Sequence, residues 1–304
     1  MTLFSIIIPT HNRPRQLRAC LDSLVSLNYA TELLEVLVVD DGSPQAITEE
    51  LDSFRERLNL KEFRQHQAGP AAARNTGAAG AKGKFLVFID DDCCVSSDWL
   101  RHFEAAFRQT PESLLAGRIV NAFADNRFVA ISELILKVLL DNFYPEPGGI
   151  YFVRSANLAV PAEAFAALKG FNPSFRTAED REFCDRWLYS GRMIRAIAGA
   201  EVSHASVLSL AGYWWQHFRY GRGAYRFHKL RHMRGSGGFR FEFLQFYIKV
   251  FMAPLIPFTR YSLVTLVLLL IWQLANSCGF VFELVLNHLA KRHFKSILTE
   301  WDPG

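Results

Sequence analysis

No Cys-x-x-Cys pair occurs among the five cysteines, Cys20, Cys93, Cys94, Cys184 and Cys278. An odd count without paired spacing excludes a disulfide framework and a zinc ribbon. It predicts a reduced, cytosolic setting for the main body of the chain. No Gly-x-Gly-x-x-Gly follows the first apolar run, where Pro9-Thr10-His11-Asn12 stands instead. That excludes the dinucleotide-binding loop of a dehydrogenase. No leader-like run opens the chain either. Phe4 to Ile8 is apolar but short, and His11, Asn12 and Arg13 follow at once, so the N-terminus is expected to be the first strand of a domain. A strong net charge is missing: +4 over 304 residues does not point to a nucleic-acid partner. Half the residues are hydrophobic, enough for a sizeable core.

What is present alternates. Phe4 to Pro9 is a short β-branched run stopping at a proline. From Arg13 to Leu27, Leu17, Cys20, Leu21 and Leu24 recur at helical spacing. Glu35 to Val39 is a second strand, closed by Asp40-Asp41-Gly42-Ser43 and followed by helix to about Arg57. Lys61 to Arg64 is a weaker third strand. Pro70 to Ala81 is Ala-rich helix, and Phe85 to Ile89 a fourth strand. Continuous apolar strands between helices predict an α/β fold with a mostly parallel, Rossmann-like sheet covered on both faces. Ligands of such sheets bind beyond the carboxyl ends of the strands. Three of these ends are polar: Thr10-His11-Asn12-Arg13, Asp40-Asp41 and Asp90-Asp91-Asp92. Further on, a strand is expected at Leu114 to Val120, a helix at Arg127 to Asn142 and a loop at Pro145 to Gly149. A strand at Ala156 to Val160, a helix at Glu179 to Ser190 and an apolar stretch from Ile194 to Val202 complete this part.

The character changes near Gly212. Arg219, Arg222, Arg226, Lys229, Arg231, Arg234 and Arg240 crowd one stretch, interleaved with aromatic residues. A very apolar region follows. Tyr261 to Phe282 has no charged side chain and is long enough to cross a bilayer, which needs about 20 residues. Val250 to Thr259 is a shorter run broken by Pro254 and Pro257 and reads as interfacial or re-entrant. Both flanks are basic, with Lys291, Arg292 and Lys295 beyond, so both are expected on the cytoplasmic side. The expected organisation is a catalytic domain over 1–211, a basic and aromatic segment over 212–240, membrane-associated helices over 241–290 and a cytosolic tail over 291–304.

Three adjacent carboxylates, Asp90-Asp91-Asp92, repel one another unless a cation is near. Their oxygens suit a hard metal such as Mg2+ or Mn2+, and a metal there can neutralise a departing diphosphate. Standing alone, the run reads equally well as an acidic turn. Asp40-Asp41 can accept from a uracil imide or ribose hydroxyls, or simply make a turn. Arg74, in the Ala-rich helix, can reach a base or a phosphate. Glu179-Asp180 opens a helix, whose dipole is expected to keep Asp180 ionised and able to serve as a general base. His204 is a candidate metal ligand. Gln216-His217-Phe218-Arg219-Tyr220 mixes aromatic faces, which stack on sugars, with guanidinium groups, which bind diphosphate. The same stretch also reads as an amphipathic helix on a membrane.

Taken in order, these residues resemble the inverting family 2 glycosyltransferases with the GT-A fold. The resemblance is carried by Ser5-Ile6-Ile7-Ile8-Pro9-Thr10-His11-Asn12-Arg13, Val38-Val39-Asp40-Asp41-Gly42-Ser43, Ala73-Arg74-Asn75-Thr76-Gly77-Ala78 and Phe88-Ile89-Asp90-Asp91-Asp92. Lys169-Gly170-Phe171-Asn172 and Ala178-Glu179-Asp180 are similar to the family's Gly-Gly-Phe-Asp and Glu-Asp motifs. It implies a nucleotide-sugar pocket lined by Pro9, Thr10, Asn12 and Arg13, with Asp41 and Arg74 as the base-binding pair. Asp91 would hold ribose, and Asp90 would be the structural member of that pocket. It implies a Mn2+ or Mg2+ on Asp92 and His204, and Asp180 as catalytic base. Glu179, Gln216, Arg219 and Tyr220 would face acceptor or diphosphate, with Tyr220 replacing the tryptophan of the family's Gln-x-x-Arg-Trp motif.

The expected activity is therefore hexosyl transfer. A sugar would move from a nucleotide-sugar, a UDP-sugar above all, to a hydroxyl of a lipid-linked or cell-surface glycan, as in polysaccharide biosynthesis. The expected place is the cytoplasmic face of the cell's inner membrane. The alternatives are a non-catalytic membrane scaffold that binds nucleotide-sugar and a nucleotidyltransferase on a related fold. The latter would want a glycine-rich loop after the first strand.

Overall fold

The computed structural model describes residues 3–123, 125–143, 152–237, 244–256 and 262–289. The chain divides into two compact units, Met1–Ala122 with Ile150–Ala205, and Phe123–Gly149 with Ser206–Gly304.

The first unit opens with β1 (Phe4–Thr10), α1 (Pro14–Val25), β2 (Leu34–Asp40), α2 (Thr48–Arg55), β3 (Leu60–Arg64), α3 (Pro70–Gly80) and β4 (Phe85–Ile89). These follow the alternation expected from the apolar runs. Pro14 and Pro70 each sit in the first turn of a helix, where the missing N–H costs nothing. Then come β5 (Cys93–Val95), α4 (Trp99–Gln109) and β6 (Leu114–Asn121), and the chain leaves for α5 (Arg127–Phe143) of the second unit. It returns as β7 (Asn157–Pro161), α6 (Ala162–Ala167), α7 (Glu179–Tyr189) and β8 (Ile194–His204).

The eight strands form one sheet in the order β3-β2-β1-β4-β7-β6-β8-β5. β3, β2, β1 and β4 are parallel. β7 is antiparallel to both β4 and β6, and β5 to β8. β6 and β8 are parallel as well, so the sheet is mixed with parallel pairings in the majority, as expected. The apolar runs after β4 carry no mark of strand direction, and short links such as the turn after Ile89 permit reversal. Ile6 and Ile8 face one buried layer with Leu17, Leu21 and Phe103, while Ile7 faces the other with Phe88, Phe171 and Trp187. Burial on both faces is why these strands read as unbroken apolar runs. The Ala-rich α3 packs close to the sheet: a Cβ at Gly77 would lie 2.5 Å from Ile7 Cγ2.

The second unit holds α5, α8 (Leu210–Arg234), α9 (Leu244–Met252) and α10 (Ser262–Leu289). α5, read from sequence as part of the first domain, groups here because Ile131 and Ile135 pack with Tyr213, Phe246, Leu268 and Trp272. Ser209 caps α8 by accepting from the Gly212 N–H, and Gly235 ends it with a left-handed φ of 76°. Among the described residues α10 is the one helix long and apolar enough to cross a membrane. The expected loop at Pro145 to Gly149 and the tail over 291–304 lie outside the described residues.

Candidate active site

The order β2-β1-β4 puts three polar strand ends side by side. Asp41 N–H donates to Thr10 O at 2.9 Å, continuing the ladder past the last strand residue. Thr10 Oγ1 donates to Asp91 Oδ2 at 2.7 Å. Beyond Thr10 the chain turns sharply, with Asn12 at φ 54° and its N–H on Ser43 Oγ at 2.8 Å. That turn directs Arg13 back over the acidic run. Its Nη1 lies 3.2 Å from Asp91 Oδ1 and 3.1 Å from Asp92 Oδ2. Pro9 is half-buried at the end of β1.

β5 begins one residue after Asp92 and pairs with β8, Cys93 opposite His204. This register brings His204 Nε2 to 3.1 Å from Asp92 Oδ1. The contact is within ion-pair range but off hydrogen-bond geometry, so that buried oxygen has no hydrogen-bond donor. Asp92, Cys93 and His204 form a cluster whose ligand atoms lie within 4.8 Å of one another. Burial opposes ionisation of Asp92, but His204 and Arg13 outweigh it and hold its carboxyl below the ordinary range. Burial also disfavours a charged His204, yet Asp92 prevails and raises it. Cys93, which sequence reading did not single out, is pushed far up, first by burial and then by Asp90 and Asp92. Its sulfur is a soft donor and a poor match for a hard cation. The donors that fit Mn2+ or Mg2+ are the Asp92 carboxylate, with one oxygen lacking a donor, and the His204 imidazole. Asp91 is raised to about 6, by burial first, with Thr10 and Arg13 opposing and Asp92 and Asp90 adding to the rise.

Asp41 and Arg74 each have protein partners of their own. Asp41 Oδ1 accepts from Gln65 Nε2 and Ala68 N–H, and Oδ2 from Gly69 N–H, all at 2.8 Å. A carboxylate has about four lone-pair sites, so one is left on Oδ2. Gln65 and Gly69 follow β3, and the rule that sites gather at parallel strand ends would have pointed to them. Arg74 is buried. Its Nη2 meets Asp90 Oδ1 at 2.6 Å and its Nη1 meets Glu179 Oε1 at 2.8 Å. Asp90 and Glu179 are therefore braced by Arg74.

Asp180 starts α7. Its Oδ1 accepts from Arg181 N–H at 2.7 Å and its Oδ2 from Ser155 N–H at 3.3 Å. The helix start does not keep it at an ordinary pKa. Burial first, and Glu179 second, raise it to about 7. Desolvation of this half-buried carboxylate exceeds what the helix dipole returns, contrary to the expectation from its position. Ala178, just before, has a left-handed φ of 67°, and Lys169, where the motif has glycine, a φ of 60°. Gln216, Arg219 and Tyr220 lie on α8 in the other unit. There Arg219 Nε donates to Trp215 O at 3.2 Å, and the Tyr220 ring meets the edge of His217.

The profile of Glycosyl transferase family 2 matches residues 5–167, more than half of the chain. The chain belongs to Glycosyl transferase family 2. Relatives include the pre-mycofactocin glycosyltransferase of Mycobacterium tuberculosis, 30% identical over 206 residues, or 66% of this chain and 42% of that protein. Glycosyltransferase AglE of Haloferax volcanii is 33% identical over 117 residues, 38% of either chain. The chain thus spans less than half the length of these curated relatives. Among solved structures, the mannosyltransferase PcManGT of Pyrobaculum calidifontis, in complex with GDP-Man and Mn2+, superposes with a TM-score of 0.62 at 15% identity. That match covers 95% of this chain and 88% of the other. TarS 1-349 of Staphylococcus aureus with UDP-GlcNAc gives 0.59 at 15% identity, over 87% and 78%. These likenesses establish the GT-A fold for this family 2 chain.

Proposed function

We propose that this chain is a metal-dependent inverting glycosyltransferase that moves a sugar from a UDP-sugar to a hydroxyl of a lipid-linked or cell-surface glycan. The observation that carries this reading is the placement of Arg13, Asp91, Asp92 and His204 at adjoining strand ends of a family 2 fold. Thr10 and Arg13 fix the acidic run from one side, and β8 delivers His204 from the other. The nucleotide-sugar named with TarS and the GDP-Man with Mn2+ named with PcManGT support a nucleotide-sugar and a divalent ion.

The free lone pair of Asp41 Oδ2 is suited to a base N–H, and uracil carries one imide N–H. Asp91 takes ribose hydroxyls, and Pro9 and Asn12 line the approach. Asp92 and His204 would hold a divalent cation, which would supply positive charge for the leaving nucleoside diphosphate. Arg13 adds a guanidinium on the same side, suited to bidentate phosphate contact. Asp180, with a pKa near neutrality, accepts the proton of the acceptor hydroxyl. That oxygen forms its bond to the anomeric carbon as the bond to the diphosphate oxygen breaks, and configuration inverts. Gln216, Arg219 and Tyr220 on α8 are assigned to the acceptor. The apolar α10 and the basic stretch before it attach the protein to the cytoplasmic face of a membrane.

The test is a panel of UDP-, GDP- and dTDP-sugars assayed with Mn2+, Mg2+ and chelator, with product configuration read by NMR. Metal-dependent turnover of a UDP-sugar with inversion is expected. Binding of all donors without transfer or hydrolysis would return the chain to the scaffold reading.

A further inference from the structure

α8 and α10 run side by side in the same direction. Tyr213 OH donates to Leu268 O at 3.2 Å near one end, and Lys229 Nζ donates to Asn287 Oδ1 at 3.3 Å near the other. Between them the backbones almost touch. A Cβ on Gly221 would fall 2.0 Å from Asn276 O, and one on Gly279 would fall 1.9 Å from Phe218 O. Glu283, buried at 2% exposure, accepts from Arg222 Nε at 2.8 Å and Arg226 Nε at 2.7 Å. Only glycine allows this approach, and the ion pairs hold the register. The contact from Tyr213 to Lys229 is roughly 24 Å long at 1.5 Å per residue.

That packing constrains how α10 can meet a membrane. A crossing by α10 would carry α8 through the hydrocarbon beside it. The paired stretch of α8 brings Arg219, Arg222, Arg226 and Lys229, against Glu283 as the one carboxylate on the facing stretch of α10. Charges in excess at that depth are costly. The outer side of α10 has the opposite character. Leu263, Val267, Leu270, Leu274, Val281 and Val285 are all exposed and follow one helix face from end to end. At its N-terminal end this face opens into an apolar cleft of about 500 Å³ between Phe128, Leu210, Val264 and Ile271. An apolar stripe on one helix and a basic partner locked beside it form a single amphipathic slab. Its charge complements anionic lipid, where each basic residue adds to attraction.

We infer that the α8–α10 pair lies in the plane of an anionic membrane, with the α10 stripe among the acyl chains and α8 at headgroup depth, and does not cross the bilayer. This placement rests on the membrane attachment proposed above, and the experiment separates the two. The full chain is mixed with phosphatidylcholine vesicles with and without phosphatidylglycerol. It carries a fluorophore in turn at Leu263→Cys, Leu274→Cys and Val285→Cys, each in a Cys278→Ser background. Binding at least tenfold tighter to the anionic vesicles is expected, and Leu270→Glu with Leu274→Glu abolishes it while leaving UDP binding unchanged. Brominated-lipid quenching is expected to report one shallow depth at all three positions. A depth greatest at 274, with 263 and 285 near opposite surfaces, overturns the in-plane inference and leaves membrane attachment standing. Failure to bind either vesicle overturns attachment itself. Sedimentation showing a dimer lost in the same double variant, without vesicle binding, assigns the stripe to a second copy of the chain and overturns both.

Discussion

Cys93 and His204 are register partners across the β5–β8 pair, and that pairing sets the His204 imidazole against Asp92. The residue that creates the alignment is not itself suited to the ion, because its sulfur is a soft donor and Mn2+ and Mg2+ are hard cations. His204→Ala and Asp92→Asn are therefore expected to weaken Mn2+ binding by at least about tenfold, the low end of what loss of ligand support costs at metal sites. Cys93→Ala is expected to leave it within about threefold. Manganese electron paramagnetic resonance titrations of the three variants check this. A larger loss in Cys93→Ala than in His204→Ala would mean that the thiol is a ligand.

Arg13 spans Asp91 and Asp92, so its guanidinium stands where cation charge is wanted. Its side chain is 51% exposed, which leaves it free to swing toward a diphosphate. Arg13→Gln is expected to tighten Mn2+ binding in the absence of nucleotide and to weaken UDP binding. Reciprocity of linked sites then requires the mutual enhancement of Mn2+ and UDP to shrink. Calorimetry with each ligand alone and with both present reads all three quantities.

Asp180 can serve as the proposed base only when ionised, and its pKa is raised to about 7. As pH falls through that value the carboxylate gains a proton, and kcat/KM should drop about tenfold per pH unit. Glu179 is the second cause of the rise, after burial. Glu179→Gln removes that like charge and should move the acidic limb to lower pH. Asp180→Asn should cost on the order of 10² to 10⁴ in rate with UDP binding retained. A limb that stays in place in Asp180→Glu and in Glu179→Gln alike would assign the titration to another group.

β1, β2 and β4 were readable because each is buried on both sides, so no polar alternation breaks the run, whereas β3, at the sheet edge with only Leu60 buried, gave a weaker signal. The polar strand ends were readable for the same reason, as abrupt changes after apolar stretches. Partnerships were not. Arg74 and Asp41 sit on neighbouring elements, yet Arg74 turns to Glu179, 105 residues away, and Asp41 closes the loop after β3. β5 is only three residues long and has no pattern of its own; its existence depends on β8. The raised pKa of Asp180 depends on burial, which no local motif encodes.

Lys169 adopts φ 60° where the family motif carries its first glycine. A left-handed residue with a Cβ costs about 1–2 kcal/mol, partly offset by the extra chain entropy that glycine loses. Lys169→Gly is therefore expected to stabilise the protein by up to about 1 kcal/mol, read as a higher urea midpoint with an unchanged m-value. Lys169→Ala, which keeps the Cβ, should give no such gain.

Arg74 is the counter-charge for two carboxylates at once, Glu179 nearly enclosed and Asp90 about 30% exposed. Removing one partner of a buried ion pair strands the other, at a cost of about 3–5 kcal/mol. Arg74→Ala should show a loss of that size in urea unfolding, because Glu179 is left without its cation. Arg74→Lys should recover only part of it, since one ammonium lacks the fork that reaches both carboxylates. Asp90→Asn should cost much less, because Asp90 is partly hydrated and an amide oxygen can still accept from Nη2. If Asp90→Asn proves as damaging as Arg74→Ala, the brace runs chiefly through Asp90, and Glu179 contributes little to holding Arg74.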